Sequence, residues 1–235
     1  MLRVVDRGLI ADQILEDLRE RILSGVLERG AKLPTERELA KAYGVSGATV
    51  REALRALVAV HLIEVRHGSG AYVTANAEKL IAQSLQSMIQ LERIGIQESL
   101  GILGVLTAYG AELAATRATP QEVDELRSAL AKLERAALAE DLETGLRHFL
   151  VCLAAASHNA LLVAICKFLA DLQISMARRM TAGSLDAWRH TVDRLNEDRR
   201  NLVEAIASGD GESARVLSVT YHRHAAQVID AVPVR

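Results

Sequence analysis

Apolar residues near the start of the chain recur with a helical period. Four of them stand at every fourth position: Ile10, Ile14, Leu18 and Ile22. This spacing predicts an amphipathic first helix over residues 8–24 that ends near Gly25.

Capping residues predict two further short helices. Thr35 and Glu38 have the spacing of a capping box, so a helix should begin at Glu36. Gly44 should end it, because glycine readily adopts the left-handed conformation that follows a helix. Ser46 then supplies the side-chain oxygen that caps a third helix.

The third predicted helix has two faces of different chemistry. One face is apolar and consists of Val50, Leu54, Leu57 and Val58. The other face carries Gly47, Arg51 and Arg55, which are spaced by four residues. We expect the first face to pack in a core and the second to remain free for contact with a partner.

Two β-rich runs, LIEVR and AYVT, follow this helix and are separated by HGSG. They predict a hairpin with a flexible tip. Helix, helix, turn, helix and hairpin is the order of a winged helix-turn-helix, whose recognition helix enters the major groove of DNA.

From Ala77 onward the apolar period is helical throughout. Thr119, Pro120 and Glu122 together mark a helix start. Breaks are predicted at residues 157–159, 183–184 and 208–210. The fold class is therefore mainly α, with a winged domain over residues 1–75 and an antiparallel bundle of six or seven helices over residues 76–235.

The amino-acid composition agrees with a helical protein but indicates little more about its function. Aliphatic residues are abundant, aromatic residues are scarce, and the net charge is −2. Cys152 and Cys166 lie in apolar helical sequence, which favours reduced thiols. No leader is evident and the longest apolar runs fall short of the ~20 residues that cross a bilayer, so we expect a cytoplasmic protein without a membrane partner.

Two groups of motifs resemble a known family. The stretches LPTERELAKAYGVSGATVREALRAL and HLIEVRHGSGAYV resemble the DNA-binding domain of GntR-family transcriptional regulators. The stretches AATRATPQEVDEL, AASHNALL and EAIASGD resemble the helical ligand-binding domain, called FCD, of the FadR subfamily. The resemblance implies a homodimer on a palindromic double-stranded DNA operator, with a small effector in the helical domain.

The resemblance also implies which residues bind DNA. Arg37 and Arg51 would contact DNA, and Arg51 would read guanine, because a guanidinium can bond both major-groove acceptors of that base. Phosphate and minor-groove contacts would involve Ser46, Thr49, His67 and Gly68.

Gly47 departs from the family pattern, since relatives usually carry an arginine at this position. One cation per half-site is missing, so operator affinity or base preference should be relaxed there. We still expect DNA binding through Arg37, Arg51 and Arg55. The alternative, that Arg51 and Arg55 only form a solvated helix face, is weaker inside the complete winged pattern.

The effector site departs further. Many FCD domains bind a divalent metal through one aspartate and three histidines, and those positions fall here on Leu146, Leu150, Arg199 and Tyr221. An arginine that often binds the effector's acid group aligns with Leu103. Leucine cannot coordinate a metal and arginine would repel one, so we predict a metal-free, cofactor-free pocket with an apolar floor.

Neighbouring histidines could rebuild such a site, and these are His148, His190, His222 and His224. A one-residue offset on a helix turns a side chain by ~100°, however, so ordinary surface or core histidines are the default interpretation.

Arg199 has two interpretations. It could bind a carboxylate, thioester carbonyl or phosphate directly in an apolar pocket, or it could form an ordinary surface ion pair near Glu197 and Asp198. The apolar pocket would suit an acyl chain or another apolar acid. We therefore predict a repressor released by an organic-acid or acyl-type effector; the alternative is a dimeric DNA-binding protein that no longer senses a ligand.

An enzyme is the third possibility. His148 and Cys152 are one helical turn apart, but LVCLAA suits a packed, inert thiol. No phosphate-binding loop or HExxH motif is present in the sequence, so we predict no catalytic residues.

Overall fold

The computed structural model describes residues 7–75, 77–181 and 184–231. The amino-terminal elements are α1 (Arg7–Leu23), α2 (Glu36–Tyr43), α3 (Gly47–Ala59), β1 (Ile63–Arg66) and β2 (Gly70–Val73). The later helices are α4 (Ala77–Glu92), α5 (Ile96–Arg117), α6 (Pro120–Arg135), α7 (Ala139–Ala155), α8 (Ala160–Met180), α9 (Leu185–Asp193), α10 (Asn196–Ala207) and α11 (Gly211–Asp230). The predicted class, a winged helix-turn-helix followed by a helical bundle, is confirmed.

Helices α2 and α3 begin at the predicted residues. The Glu38 backbone N–H donates to Thr35 Oγ1 at 3.3 Å, and the Glu38 carboxylate accepts from the Thr35 N–H at 2.7 Å, which completes the capping box. Gly44 has φ 68° and ends α2 in the left-handed conformation. Ser46 Oγ accepts from the Thr49 N–H and caps α3.

The amino-terminal core lies between α1, α3 and the hairpin. Its buried side chains include Ile14, Leu18, Ile22, Val50, Leu54, Leu57, Ile63 and Val73. Ile63 stands opposite Val73 in the antiparallel pair, so both strands contribute one face to this core. The prediction for Val58 was wrong: its side chain is 36% exposed, because it follows Leu57 by one residue and is turned by ~100° from it.

Eight helices, α4 to α11, follow the hairpin within the described residues, where six or seven were predicted. The breaks at 157–159 and 208–210 are confirmed. Ser184 caps α9, whereas Gly183 lies outside the described residues. Three breaks were not predicted, namely those after α4, α6 and α9. At the last of them, Arg194 and Leu195 carry no glycine or proline signal.

Helices α5 and α8 are each long and apolar enough to cross a membrane by length and composition, contrary to the expectation from the sequence. Core helices of soluble proteins pass the same test. Both contribute side chains to the main hydrophobic core, among them Leu103 and Ala111 from α5 and Leu162 and Leu169 from α8. We therefore interpret them as core helices of the bundle.

The chain divides into two compact units, one ending at Ser84 and the other beginning at Leu85. This division falls within α4, whereas the predicted boundary at residues 75 and 76 precedes that helix. Each unit has its own hydrophobic core. The first is called the winged unit below, and the second is called the helical unit.

Candidate nucleic-acid interface and ligand cavity

Helix α3 presents a cationic exposed face. Arg51 and Arg55 are both exposed on it, and Arg37 is exposed in the first turn of α2. Arg51 Nη1 donates to Glu36 Oε2 at 3.0 Å, so an ion pair connects α3 to the start of α2. Both partners of this pair are about half exposed, and such pairs are worth only about 0–1 kcal/mol. Arg51 can therefore exchange Glu36 for another acceptor at little cost.

Gly47 occupies the first turn of α3 without a conformational need for glycine. A Cβ built on it would meet only Arg51 Nη1, at 3.8 Å, which is an ordinary contact. Position 47 therefore has room for a Cβ atom. The smaller residue leaves the start of this helix without the cation that the family usually carries there.

Of the two predicted hydroxyl contacts, Ser46 is exposed and Thr49 is buried. Their oxygens lie 2.9 Å apart, so Thr49 is engaged in the cap of α3. Ser46 is the one of the pair that a partner could reach.

The hairpin tip, which we call the wing, exposes His67 and Gly68, the latter with φ 73°. A neighbouring cluster was not predicted. Arg66 Cζ lies 4.3 Å from the centroid of the Tyr72 ring, and Lys32 Nζ lies 5.9 Å from it. Lys32 is held beside β2 by an isolated β-bridge to Tyr72, a long-range pairing that no local sequence signal reveals.

The helical unit contains a cavity of about 50 Å³. Four of the five residues predicted for the effector pocket line it: Leu146, Leu150, Arg199 and Tyr221. The fifth, Leu103, is buried in the core and is replaced in the lining by Leu100, three residues earlier on α5. The lining is otherwise largely apolar, with Gln173, Trp188 and His222 as further members.

Arg199 is buried in this lining with only 1% of its surface exposed. Its Nη1 donates to the Val192 carbonyl oxygen and to Asn196 Oδ1, both at 2.8 Å. Its Cζ lies 5.4 Å from the centroid of the Tyr221 ring. The alternative of a surface ion pair is wrong: Asp198 pairs with His224 at 2.9 Å instead.

His222 is a neutral core histidine. The Thr107 hydroxyl donates to the Leu103 carbonyl oxygen at 2.8 Å, and Thr107 Oγ1 lies 2.6 Å from His222 Nε2. We assign the hydroxyl proton to the Leu103 carbonyl; with this assignment His222 Nε2 donates to Thr107 and Nδ1 is left as an acceptor. Burial, and then the charge of Arg199, lower the pKa of His222 to about 3.

The residues at the four family metal positions do not suit a divalent cation. Leu146 and Leu150 offer no ligand atom, and the positive charge of Arg199 opposes a metal ion. Within the described ranges, no group of three or more His, Cys, Asp or Glu side chains is placed to hold one. Of the remaining candidates, His148 and His190 are exposed.

Cys152 and His148 are near each other, with the sulfur 3.8 Å from the ring nitrogens. Burial, the largest cause, raises the pKa of the Cys152 thiol. A nucleophilic cysteine needs a lowered pKa, so this pair lacks the activation that catalysis requires.

Comparison with known proteins agrees with this arrangement. Residues 10–73 match the model of "Bacterial regulatory proteins, gntR family", and residues 98–224 match that of the FCD domain. The chain is 29% identical over 203 residues to the HTH-type transcriptional regulator LutR of Bacillus subtilis (strain 168), covering 85% of this chain and 92% of LutR. It is 26% identical over 215 residues to the Exu regulon transcriptional regulator of Escherichia coli (strain K12), covering 92% and 82%.

The fold is also that of a solved structure, Streptococcus agalactiae GntR, with a TM-score of 0.66 and 24% identity, covering 92% of this chain and 99% of that one. The FCD match alone spans more than half of the chain. The chain belongs to the GntR family and is a transcriptional regulator with an FCD effector-binding domain, not an enzyme.

Proposed function

We propose that the protein is a homodimeric repressor of the FadR subfamily that releases a palindromic operator when a small organic acid occupies the cavity of the helical unit. The observation that carries the proposal is the cavity itself. Four positions chosen from the family pattern converge on it from three helices, α7, α10 and α11.

In the DNA complex, α3 would enter the major groove. Arg51 would leave Glu36 and bond the two acceptors of guanine, while Arg37 and Arg55 would contact the adjacent backbone or bases. Ser46 and the α3 cap would lie at a phosphate. The wing, with His67 and Gly68, would approach the minor groove, and Lys32 and Arg66 would add positive charge beside it.

A second copy would bind through an apolar stripe on the helical unit. The stripe consists of exposed residues on two helices, namely Ile102, Val105 and Tyr109 of α5 with Val216 and Val219 of α11. Val105 and Val219 line one surface depression, so the two helices form a continuous apolar area there. Contiguous exposed apolar surface of this kind is typical of a protein interface.

The effector would be short. An engineered cavity of about 150 Å³ lined by Leu, Ile and Phe side chains binds benzene, whereas this one measures only about 50 Å³. The apolar walls agree with the sequence prediction of an apolar acid, but a long acyl chain would require the cavity to expand. A short acid fits the volume better.

Release would be a population shift. An effector that binds one arrangement of the dimer more tightly raises its population, and the operator is lost if the recognition helices then no longer match the half-sites. Binding needs no cofactor, and we place the protein in the cytoplasm, where its DNA is found.

DNA reading can be tested with the full chain. Operator-like duplexes are selected from a random library and binding is measured by fluorescence anisotropy. Arg51→Ala should weaken binding about 5- to 150-fold for each of the two half-sites, which corresponds to about 1–3 kcal/mol for each bidentate guanine contact. Arg19→Ala, an exposed arginine of α1 paired with Glu16, should bind almost as the parent does. Equal losses in the two variants would reject α3 as the reading helix.

The second candidate function is a DNA-binding dimer that no longer senses a ligand. The small volume of the cavity favours it. A ligand that binds only the folded protein must raise the unfolding temperature, so stabilisation by any acid would exclude this alternative.

A further inference from the structure

Hydrogen-bonding atoms without a partner are concentrated around the cavity. Five buried side-chain nitrogen or oxygen atoms of the described residues have no hydrogen-bond partner. Four of them belong to residues of the cavity lining: Gln173 Nε2, Trp188 Nε1, Arg199 Nε and His222 Nδ1. They come from four different helices, α8 to α11. Buried polar atoms are nearly always satisfied in folded proteins, so this clustering indicates a site that a ligand completes.

The charge of Arg199 indicates that this ligand is an anion. Both acceptors of its Nη1, the Val192 carbonyl oxygen and the Asn196 amide oxygen, are neutral. Among the described residues no carboxylate forms an ion pair with it. A buried charge without a counter-ion is strongly unfavourable. The guanidinium, together with the N–H groups of Trp188 and Gln173, matches the acceptor-only chemistry of a carboxylate.

His222 indicates a second feature of the ligand. With the Thr107 hydroxyl donating to the Leu103 carbonyl oxygen, the assigned tautomer directs the Nε2–H to Thr107 and leaves Nδ1 as an acceptor without a donor. The Tyr221 ring lies against both groups, with centroid distances of 4.7 Å to the His222 ring and 5.4 Å to Arg199 Cζ. A hydroxyl on the ligand would supply the missing donor a short distance from the carboxylate.

From these features we infer that the effector is a short hydroxy monocarboxylate of about two to four carbons, bound without a metal, whose carboxylate accepts from Arg199 and whose hydroxyl donates to His222 Nδ1. The inference rests on the proposed role of this cavity as the effector site. The volume of about 50 Å³ limits the size, and Leu146, Leu150 and Ile174 supply the apolar walls for the short carbon chain.

The test is calorimetric titration of the full chain in EDTA with matched ligands. Glycolate, lactate and 3-hydroxypropionate carry both groups, propionate lacks the hydroxyl, and glycerol lacks the carboxylate. At least one hydroxy acid should bind ten times or more as tightly as propionate, because a site built around a hydroxyl leaves a buried atom unpaired when that hydroxyl is missing. Glycerol should not bind. The fluorescence of Trp188, the chain's single tryptophan, should change in parallel.

Variants assign the two contacts. Arg199→Lys keeps the charge but loses the planar fork, and should weaken the hydroxy acid at least tenfold; Arg200→Lys, at the exposed neighbour paired with Glu134, should not. His222→Leu should bring the ratio of hydroxy acid to propionate affinity towards one, whereas His224→Leu should leave that ratio unchanged. The ratio is informative even if a variant is less stable.

Several outcomes would overturn the inference. Propionate binding as tightly as every hydroxy acid would contradict the proposed hydroxyl contact. Binding that appears only when the titration is repeated with zinc in place of EDTA would contradict the metal-free site. Binding of longer fatty acids alone would refute the ligand class while leaving the cavity as an effector site. If no acid binds with either EDTA or zinc present while selected DNA is still bound, both the inference and the effector part of the proposed function fail, and the regulator without sensing remains.

Discussion

Two arginines show how differently the two units use the same side chain. Arg51 of the winged unit is half exposed and paired with Glu36, whereas Arg199 of the helical unit is buried and bonded to neutral oxygens. Solvent screens the first pair, so exchanging Glu36 for DNA costs little. Burial makes the second charge unfavourable as long as no counter-ion accompanies it. An exposed arginine such as Arg51 is accessible to a large polar partner, whereas a buried arginine such as Arg199 is accessible only to a ligand small enough to enter the cavity.

The largest predicted effect is a loss of DNA affinity caused by a substitution in the helical unit that prevents dimerisation. Val105→Asp places a charge in the apolar stripe of the helical unit and should yield monomers in analytical ultracentrifugation. Operator affinity should fall by a factor of about 100 or more, because two linked half-site contacts gain an avidity of that order. The change lies in the helical unit, but its effect is measured on DNA.

The control for this prediction is Leu138→Asp, which adds the same charge at another exposed apolar residue, 62% exposed, of the helical unit. It should remain dimeric and bind DNA normally. A dimeric Val105→Asp protein would locate the interface elsewhere.

The two units also differ in how far the sequence predicted them. The ends of α2 and α3 followed from Thr35, Gly44 and Ser46, because caps act within a few residues of chain. The α9–α10 break has no such local signal, so the helix count was low. For the cavity, the spacing of the family motifs predicted two of the lining residues, Arg199 and Tyr221. It did not predict His222, the histidine next to Tyr221.

His222 was not predicted to line the pocket, because its side chain is turned by ~100° from that of Tyr221 on the helix. The cavity extends around that side of α11, however, and both residues line it. Trp188 and Gln173 were not predicted at all. They join the cavity lining where α8 and α9 meet the other helices, and no spacing along a single helix encodes such a meeting. Likewise Leu100, and not the predicted Leu103, lines the cavity, because the rotation of α5 about its axis in the bundle decides which of its side chains face the cavity.

The second prediction concerns the pH dependence of stability, which we expect to originate in the helical unit. His222 has a folded pKa of about 3, against an ordinary value of 6.5. Between these values the unfolded chain binds a proton that the folded chain does not, so stability is complete above pH 6.5 and falls with decreasing pH. From pH 7.5 to 5 the free energy of unfolding should decrease by about 2 kcal/mol.

Urea unfolding followed by Trp188 fluorescence measures this directly, since that residue is buried in the helical unit. The window lies above the ordinary pKa of the carboxyl groups, so their titration contributes little. His222→Gln should flatten the dependence, and His190→Gln, at an exposed histidine, should retain it. A parent protein with equal stability at both pH values would contradict the neutral buried histidine.

The smallest predicted effect returns to the winged unit and to Gly47. Because a Cβ at this position meets only Arg51 at 3.8 Å, Gly47→Arg should fold normally and place a cation at the start of α3. One additional phosphate contact per subunit should steepen the slope of log affinity against log salt by about one unit per subunit. Affinity at low salt should rise several-fold.

Gly47→Ala separates the two causes, since it removes the helix penalty of glycine, up to ~1 kcal/mol, without adding charge. If alanine and arginine give the same salt slope, position 47 does not reach the phosphate backbone, and the exposed arginines of α2 and α3 account for the contact without it.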